Sequence, residues 1–259
     1  MINKEIEEFK KYVSNFDMSV EAIDMKYNHT LRVVGYADRI TTEVTDPNLK
    51  RLSLIGALLH DISRFKQWTE YRTFEDAKSF DHGDMGYEIL VSNDYINNYV
   101  QNDYEKEVVL NAVKQHNKKK LELTGDFVTD YVAKVVKDAD KLDIIRNQYN
   151  GDDINYHYFK TNEIVNKVSI NRNIIDSVLN KELCNNKDTV NYFDEVVREI
   201  AFIFDINFKE AFKIVSDEGF IDIKIKVLRE YDLDKEYEEI INKIEKTLKD
   251  FLKEKLEED

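Results

Sequence analysis

Apolar residues recur at three- and four-residue intervals along most of the chain, a spacing typical of α-helices that bury one face. The 259 residues include one proline, Pro47, and seven glycines. Few positions would therefore interrupt a helix. This pattern predicts an all-α fold.

Six helices are predicted in the first half of the chain. The first follows Asn3, the second is expected to be capped by Ser19, and the sixth runs from near Asp126 to Ile145. The expected inward positions are, helix by helix, Ile6, Phe9, Val13 and Phe16; Ile23, Tyr27, Leu31 and Val34; Leu52, Ile55 and Leu59; His82, Met85 and Ile89; Val108, Val109, Ala112, Val113 and His116; and Val128, Tyr131, Val135, Ala139 and Leu142.

Beyond Gly151 the chain is also predicted to be helical. One buried face is expected at Phe193, Val196, Val197, Ile200 and Phe204, and a last helix, roughly 234–256, has Tyr237, Ile241, Ile244, Leu248 and Phe251 on one side. Residues 147–190, rich in Asn and Asp, would either cover a site or join two helical layers. We predict a helical core in residues 1–147 and a helical extension in 148–259 packed on it, unless the two form one continuous domain.

The charge balance limits the partners that we expect. Lys+Arg 38 against Asp+Glu 52 gives a formal net charge of −14. A general nucleic-acid binder needs a cationic surface, so that function is disfavoured. A small anionic substrate remains compatible, because a bound dication inverts the local charge.

The compartment is predicted from the cysteine content and the hydropathy. The chain has one cysteine, Cys184, which cannot form an internal disulfide and suits a reducing setting. The N-terminal residues alternate in charge, and no stretch has the length needed to span a bilayer. We expect a cytoplasmic protein without a membrane partner, and the last helix leaves a homodimer open.

Six potential metal ligands lie on or beside different predicted helices. In order along the chain they are His29, His60, Asp61, His82, His116 and Asp140. His116 continues the apolar face of the fifth helix, where an imidazole without a partner would be costly to bury. Asp140 has Val136 and Ile144 one turn to either side, so its carboxylate also needs a partner. Imidazole and carboxylate ligands without thiolates suit Fe, Mn, Mg, Zn or similar divalent ions.

Each ligand candidate also has an ordinary structural explanation. A helix histidine such as His29 is more often exposed or hydrogen-bonded in a core than bound to metal. His82, at a predicted helix start, would suit an exposed capping region. Asp140 would suit a salt bridge with a nearby cation such as Lys137 or Arg146. The prediction of a metal site therefore depends on the whole series.

The segments that carry these residues resemble the HD-domain superfamily of metal-dependent phosphohydrolases. The resembling segments are Asn28–Val33, Leu58–Phe65, Asp81–Gly83, Gln115–Asn117 and Lys137–Asp143, within roughly residues 20–147. The resemblance implies an all-α core in which one metal is held by His29, His60, Asp61 and Asp140. It also implies a second metal at His82 and His116, with Asp61 bridging the two ions as the central catalytic residue.

Two details narrow this resemblance. The cyclic-dinucleotide phosphodiesterase branch carries a Gly-Tyr-Pro signature, but the one proline here, Pro47, precedes the His-Asp pair. The familiar His-Asp-Ile-Gly-Lys sequence is replaced by His60–Arg64, with serine and arginine in the last two positions. Arg64 keeps a cation as a planar fork that suits bidentate phosphate contact. We predict either that contact or a structural salt bridge.

Two lysines are further candidates for binding the substrate. Lys26 lies three residues before His29, so both side chains would share a helix face toward the pocket, with exposure to solvent as the alternative. Lys141 adjoins Asp140 and is the second candidate for contact with the substrate. The alternative is a position at the surface or in support of the ligands.

Other aromatic and reactive side chains have structural interpretations. Trp68 and Tyr71 follow the His-Asp pair and would either stack a base or pack in the core or in a lid. His157 lies outside the ligand series, so we interpret it as structural. Cys184 has no neighbours typical of a catalytic thiol.

The function predicted from the sequence is metal-dependent hydrolysis of a nucleotide or another small phosphate mono- or diester by a metal-activated water. Two further functions remain open. Some HD-type proteins with this ligand series resemble diiron oxygenases, which cleave carbon–carbon or carbon–phosphorus bonds with O₂. A non-catalytic helical module that binds metal or another ligand is the third, and the intact ligand series argues against it.

Overall fold

The computed structural model describes residues 2–146, 169–230 and 235–258. These parts of the chain contain α-helices and short 3-10 helices and no β-strand, which confirms the predicted all-α fold. Contacts divide the chain into two compact units, Met1–Asp143 and Ile144–Asp259. The expected packing of a C-terminal extension on the core stays a prediction.

Seven α-helices are described before residue 147. They are α1 (Asn3–Val13), α2 (Glu21–Ile40), α3 (Pro47–Leu59), α4 (Arg64–Tyr71), α5 (His82–Val91), α6 (Asp103–Gln115) and α7 (Phe127–Arg146), with 3-10 helices at Asp76–Lys78 and Ser92–Asn98. Helix α3 packs between α2 and α6, α1 also contacts α3, and α5 packs against α6.

Helix α3 forms the centre of this unit. Pro47 occupies its first turn, where a missing N–H costs nothing, and the Asp46 side chain accepts hydrogen bonds from the N–H groups of Asn48 and Leu49. Every residue from Leu52 to Leu59 is buried, so the helix is enclosed on all sides. A Cβ at Gly56 would lie 2.9 Å from Cγ2 of Val136 in α7, which explains why this position has no side chain.

The predicted face of α2 is wrong in its rotation. Tyr27, Leu31 and Val34 are only half-buried. His29 and Val33 are buried, and so are the residues on the same side of the helix in the next two turns. Helix α2 therefore turns its histidine-bearing side inward toward the packed helices. The expected Ser19 cap is also wrong, because the helix begins at Glu21 after Val20 and has no side-chain cap.

The second unit contains five described α-helices. They are α8 (Arg172–Leu179), α9 (Tyr192–Ile200), α10 (Lys209–Asp217), α11 (Phe220–Arg229) and α12 (Lys235–Glu257), with 3-10 helices at Asn186–Asp188 and Ala201–Asp205. Helix α9 packs against α8 and α11, and α12 contacts α8, α10 and α11. The predicted apolar rows of α9 and α12 face this core, with Phe193, Val196, Val197, Ile200, Ile241, Ile244, Leu248 and Phe251 buried.

Candidate metal centre

Two of the histidines occupy the C-cap positions of central helices. His60 follows α3 and His116 follows α6. The last carbonyl groups of a helix lack partners within the helix. Here Nδ1 of each imidazole lies 2.7 Å from such a carbonyl, that of Ala57 for His60 and that of Val113 for His116. Each helix end therefore fixes the direction of its own histidine.

His82 is held by the start of α5. The Asp81 side chain accepts a hydrogen bond from the N–H of Asp84 at this helix start, and the Ser63 hydroxyl donates to the carbonyl of His82. Nδ1 of His82 lies 2.6 Å from a carboxylate oxygen of Asp76. The alternative of an exposed capping residue is wrong, because His82 is buried.

His29 extends from α2 toward α7. Its Nδ1 lies 2.7 Å from Oδ2 of Asp143, and the Arg32 guanidinium donates two hydrogen bonds to the same carboxylate. The ring is thus oriented by a carboxylate that an arginine fixes in turn. This arrangement is common around histidines that bind metal.

All four histidines therefore present Nε2 to a common interior. A carbonyl or an ionised carboxylate cannot donate a hydrogen, so each Nδ1 carries the proton in these contacts and leaves the lone pair of a neutral ring on Nε2. Nε2 of His29 and His60 are 3.3 Å apart, and those of His82 and His116 are 3.1 Å apart. The histidines form two pairs with lone pairs converging.

Asp61 lies between the two histidine pairs. Its Oδ2 is 3.5 Å from Nε2 of His29 and 3.6 Å from Nε2 of His60. Its Oδ1 is 3.7 Å from Nε2 of both His82 and His116. One carboxylate thus directs a different oxygen at each pair.

Asp140 adds a second carboxylate to the first pair only. Its Oδ1 lies 3.1 Å from Nε2 of His29 and 3.6 Å from Nε2 of His60. The structure therefore brings together the six residues that the sequence singled out. Four potential metal ligands surround the position at the first histidine pair, and three surround the position at the second pair.

These donors fit divalent first-row ions. Protein nitrogen and oxygen ligands bind such an ion at about 2.0–2.2 Å, which places neighbouring ligand atoms about 3–3.5 Å apart. Most of the separations here fall in that range or slightly above it. Three overlapping groups have ligand atoms within 4.8 Å of one another, namely His29–His60–Asp61, His60–His116–Asp140 and Asp61–His82–His116.

The protonation states also favour cation binding. Burial raises the pKa of the Asp61 carboxyl, but Lys26, His60 and Arg64 outweigh burial and hold that pKa well below its usual range. The pKa of Asp140 is likewise well below its usual range, since the adjacent His29 and His60 outweigh burial. Both carboxylates are therefore ionised ligands at neutral pH.

The pKa values of His82 and His29 are shifted in opposite directions. Burial and the neighbouring Arg64 lower the pKa of His82 to about 3, so its ring is neutral and competent as a ligand at neutral pH. Burial and Lys26 lower the pKa of His29, but Asp140 and Asp143 outweigh them, and the net pKa is raised. A metal at the first pair therefore competes with a proton on His29.

Lys26 and Arg64 both contact the Asp61 carboxylate. Lys26 Nζ donates to Oδ2 over 2.9 Å, so the expectation that this lysine is solvent-exposed is wrong. Arg64 Nε lies 3.4 Å from Oδ1, and its Nη1 is 3.0 Å from Oδ1 of Asp76. Of the two alternatives for Arg64, the structure shows the salt bridge, and phosphate contact stays a prediction.

The remaining candidates have varied positions. Lys141 is buried rather than at the surface, and its substrate contact stays a prediction. Lys137 donates to the carbonyls of Lys118 and Lys119. Trp68 packs its ring against Phe74 at 5.0 Å between centroids, as in the packing alternative. The predicted structural role of His157 lies outside the described residues.

The sequence analysis missed the residues that orient the ligands. The spacing of Asp143 was a usable signal for such a role. It lies one helical turn after Asp140, and Arg32 lies one turn after His29, so each shares a helix face with a ligand candidate. Asp76 gave none, since it lies in a 3-10 turn without periodicity.

The class of protein follows from this geometry: it is an all-α protein with a buried histidine–aspartate cluster suited to divalent metals. The family model for the HD domain matches residues 27–145, the segment that contains all six residues. This segment thus matches an HD domain, and the match does not extend beyond residue 145. Members of this family are mostly metal-dependent phosphohydrolases.

No curated protein and no solved structure matches the chain significantly. Among the described residues, no helix combines the length and the apolar character required to cross a membrane.

Proposed function

We propose that this protein is a metal-dependent phosphohydrolase that acts on a nucleotide or another small phosphate mono- or diester. The observation that carries this proposal is the position of Asp61, whose two oxygens face two separate histidine pairs. Such a carboxylate suits a bridge between two ions. Metal pairs of this kind recur in enzymes that displace groups at phosphorus.

The six residues divide between the two positions. His29, His60, Asp61 and Asp140 would hold one divalent ion, and Asp61, His82 and His116 would hold the other. When bound, such ions supply an activated water at neutral pH and neutralise phosphate oxygens. The protein orients their ligands through Asp76, Asp143 and the two carbonyl groups at the ends of α3 and α6.

Two cations beside Asp61 support an anionic substrate. Arg64 and Lys26 are both less than a fifth exposed, and both lie near the ring of Phe74, at 5.8 Å and 5.3 Å from its centroid. A phosphate at the metal centre would thus meet positive charge, although the chain as a whole carries −14. Fixed charges of this kind stabilise negative charge that develops during phosphoryl transfer.

The test is metal analysis of the purified protein, followed by phosphate release from nucleotides and aryl phosphates with Mn²⁺ or Fe²⁺ restored. We expect about two ions per chain and turnover that Asp61→Ala abolishes together with the metal content. The exposed Asp38→Asn in α2 is the matched control and should keep both. Activity and full metal content in Asp61→Ala would contradict the proposed role of Asp61.

Two additional measurements, oxygen consumption and phosphate release under anaerobic conditions, separate the other two functions from hydrolysis. Oxygen consumption together with an iron-dependent absorption band, without phosphate release, would identify an oxygenase. Metal binding without turnover of any kind would leave the non-catalytic module. Release of inorganic phosphate under anaerobic conditions would support the hydrolase.

A further inference from the structure

Arg64 lies directly against the second metal position. Its Nη2 lies 3.2 Å from Nε2 of His82, and its Nε lies 3.4 Å from Oδ1 of Asp61. These are two of the three atoms that would bind the second ion. A guanidinium keeps its charge at any pH at which the protein is folded. A permanent cation therefore lies against the ligand atoms of the second position.

The guanidinium is fixed in this place. Its Nη1 donates to Oε1 of Gln67 at 2.6 Å, to the carbonyl of Phe74 at 2.7 Å and to Oδ1 of Asp76 at 3.0 Å. If Arg64 turned away, Oε1 of the buried Gln67 would lose this donor, which costs more than the loss of an ordinary surface hydrogen bond. We therefore expect the guanidinium to remain in place when metal binds.

Asp76 does not cancel this charge at the metal position. Its carboxylate contacts Nη1 of Arg64 and Nδ1 of His82, on the side of both groups away from the converging Nε2 atoms. The atoms Nη2 and Nε of Arg64 face the ligand atoms directly. Coulomb energies fall with distance, so the nearer cation dominates the field there.

The first position has a different charge balance. Two carboxylates, Asp61 and Asp140, face it, whereas the second position is faced by one oxygen of the Asp61 carboxylate and by two imidazoles. The cation beside the first position, Lys26, has a flexible stem and contacts the carboxylate of Asp61. A dication is therefore compensated at the first position and opposed at the second.

We propose that Arg64 makes occupancy of the second position conditional on a bound anion. The first ion binds at His29, His60, Asp61 and Asp140 without a bound anion. The second binds together with a phosphate group, which supplies the missing negative charge and contacts the Arg64 fork. This inference rests on the two-position site of the proposed function and does not require that hydrolysis follows.

The proposal predicts a reciprocal coupling between metal and phosphate. If phosphate tightens the second ion, the second ion must tighten phosphate by the same factor. Coupling of this kind typically amounts to about 5- to 150-fold in affinity. Removing the positive charge at residue 64 should weaken the coupling, because the second ion would then bind without the anion.

The experiment is calorimetric titration of the metal-free full chain with Mn²⁺, with and without inorganic phosphate, and with chloride at equal ionic strength. We expect one tight ion in chloride and two in phosphate for the wild type. Arg64→Gln should bind two ions in chloride, whereas Arg64→Lys, which keeps the charge, should behave like the wild type. Thermal melting of each variant checks its folding, and the comparison of wild type in the two salts needs no variant.

Two equally tight ions in chloride for the wild type would overturn the inference. The inference is also wrong if Arg64→Gln, folded, shows the phosphate dependence of the wild type unchanged. If the folded wild type binds no Mn²⁺ in either salt, the metal site of the proposed function fails as well, so the two failures are distinguishable.

Discussion

Oδ2 of Asp143 lies 2.7 Å from Nδ1 of His29, and this contact joins α2 to α7 through two residues that are 114 positions apart in the chain. Asp143 thus contacts the nitrogen of His29 that faces away from the centre. It fixes which nitrogen of His29 carries the hydrogen, and Arg32 fixes the carboxylate in turn. The geometry of the first metal position therefore depends on residues outside the six ligand candidates.

Asp143→Asn should lower the affinity for metal while the fold is retained. Loss of a carboxylate that orients a metal-bound histidine typically costs about 10- to 100-fold in affinity. Competition between the protein and a chromophoric chelator for Mn²⁺ or Zn²⁺ measures the effect. The control is Asp130→Asn near the start of α7, where the carboxylate caps the loop at Thr124 and Gly125. Equal affinities for the two variants would contradict the role assigned to Asp143.

The metal-free protein should lose stability as the pH falls from about 4 to about 2. Burial raises the pKa of Asp143, but His29 and Arg32 outweigh burial and lower the pKa from 3.8 to about 2. A lowered folded pKa means that the ionised form stabilises the fold above the unfolded pKa. This contribution, about 2 kcal/mol for such a shift, disappears as the pH falls through the folded pKa.

Urea denaturation at several pH values measures this dependence. Asp81, whose pKa is also lowered to about 2, contributes in the same direction. Asp143→Asn should be less stable near neutral pH and should show a flatter decline toward pH 2. Parallel curves for the wild type and the variant would show that Asp143 does not carry the effect.

Gly83→Ala should disturb the second metal position selectively. A Cβ at residue 83 would lie 2.6 Å from Oδ1 of Asn117 and 2.8 Å from the carbonyl of Lys114, so α5 must move away from α6. This movement separates His82 from His116, whose Nε2 atoms are 3.1 Å apart. We expect lower stability and loss of one of two bound ions in the presence of phosphate, measured by native mass spectrometry.

Gly35→Ala provides the matched control. Residue 35 is exposed in α2, and nothing lies within 4 Å of the Cβ that alanine would add. Alanine has the higher helix propensity, so this substitution should stabilise the protein by about 0.5–1 kcal/mol. A similar loss of stability in both variants would show that helix spacing at Gly83 is not the cause.

Phe65→Ala should strongly destabilise the first unit. Phe65 follows Arg64 in α4, is fully buried, and packs against the rings of Phe9, Tyr12 and Phe16. Truncation of a buried phenylalanine costs about 3–5 kcal/mol. Phe127→Ala is the control, because that ring is 70% exposed, and its effect should stay within about 0.5 kcal/mol. Chemical denaturation measures both, and similar values would contradict the core assignment of Phe65.

The helices were predictable because their information is local. Asp46 and Pro47 start α3 through capping interactions with neighbouring residues, and α7 covers the predicted Ile145. The rotation of α2 was not predictable in the same way, because the apolar residues Tyr27 and Leu31 are half-buried at the side of the buried face, and spacing alone does not separate that position from an inward one. Packing against other helices decided that rotation.

The amino-acid sequence by itself determined the helical periodicity and the acidic charge, since these follow from residue type and spacing. It also supplied the six ligand candidates, through their order along the chain. Only the tertiary structure decided which oxygen of Asp61 faces which histidine pair, and that Arg64 and Lys26 contact this carboxylate. Most of those contacts join residues that are far apart in the chain and lie on different structural elements. Their geometry is fixed by helix packing and by the cost of burying charges without partners, which no local pattern encodes.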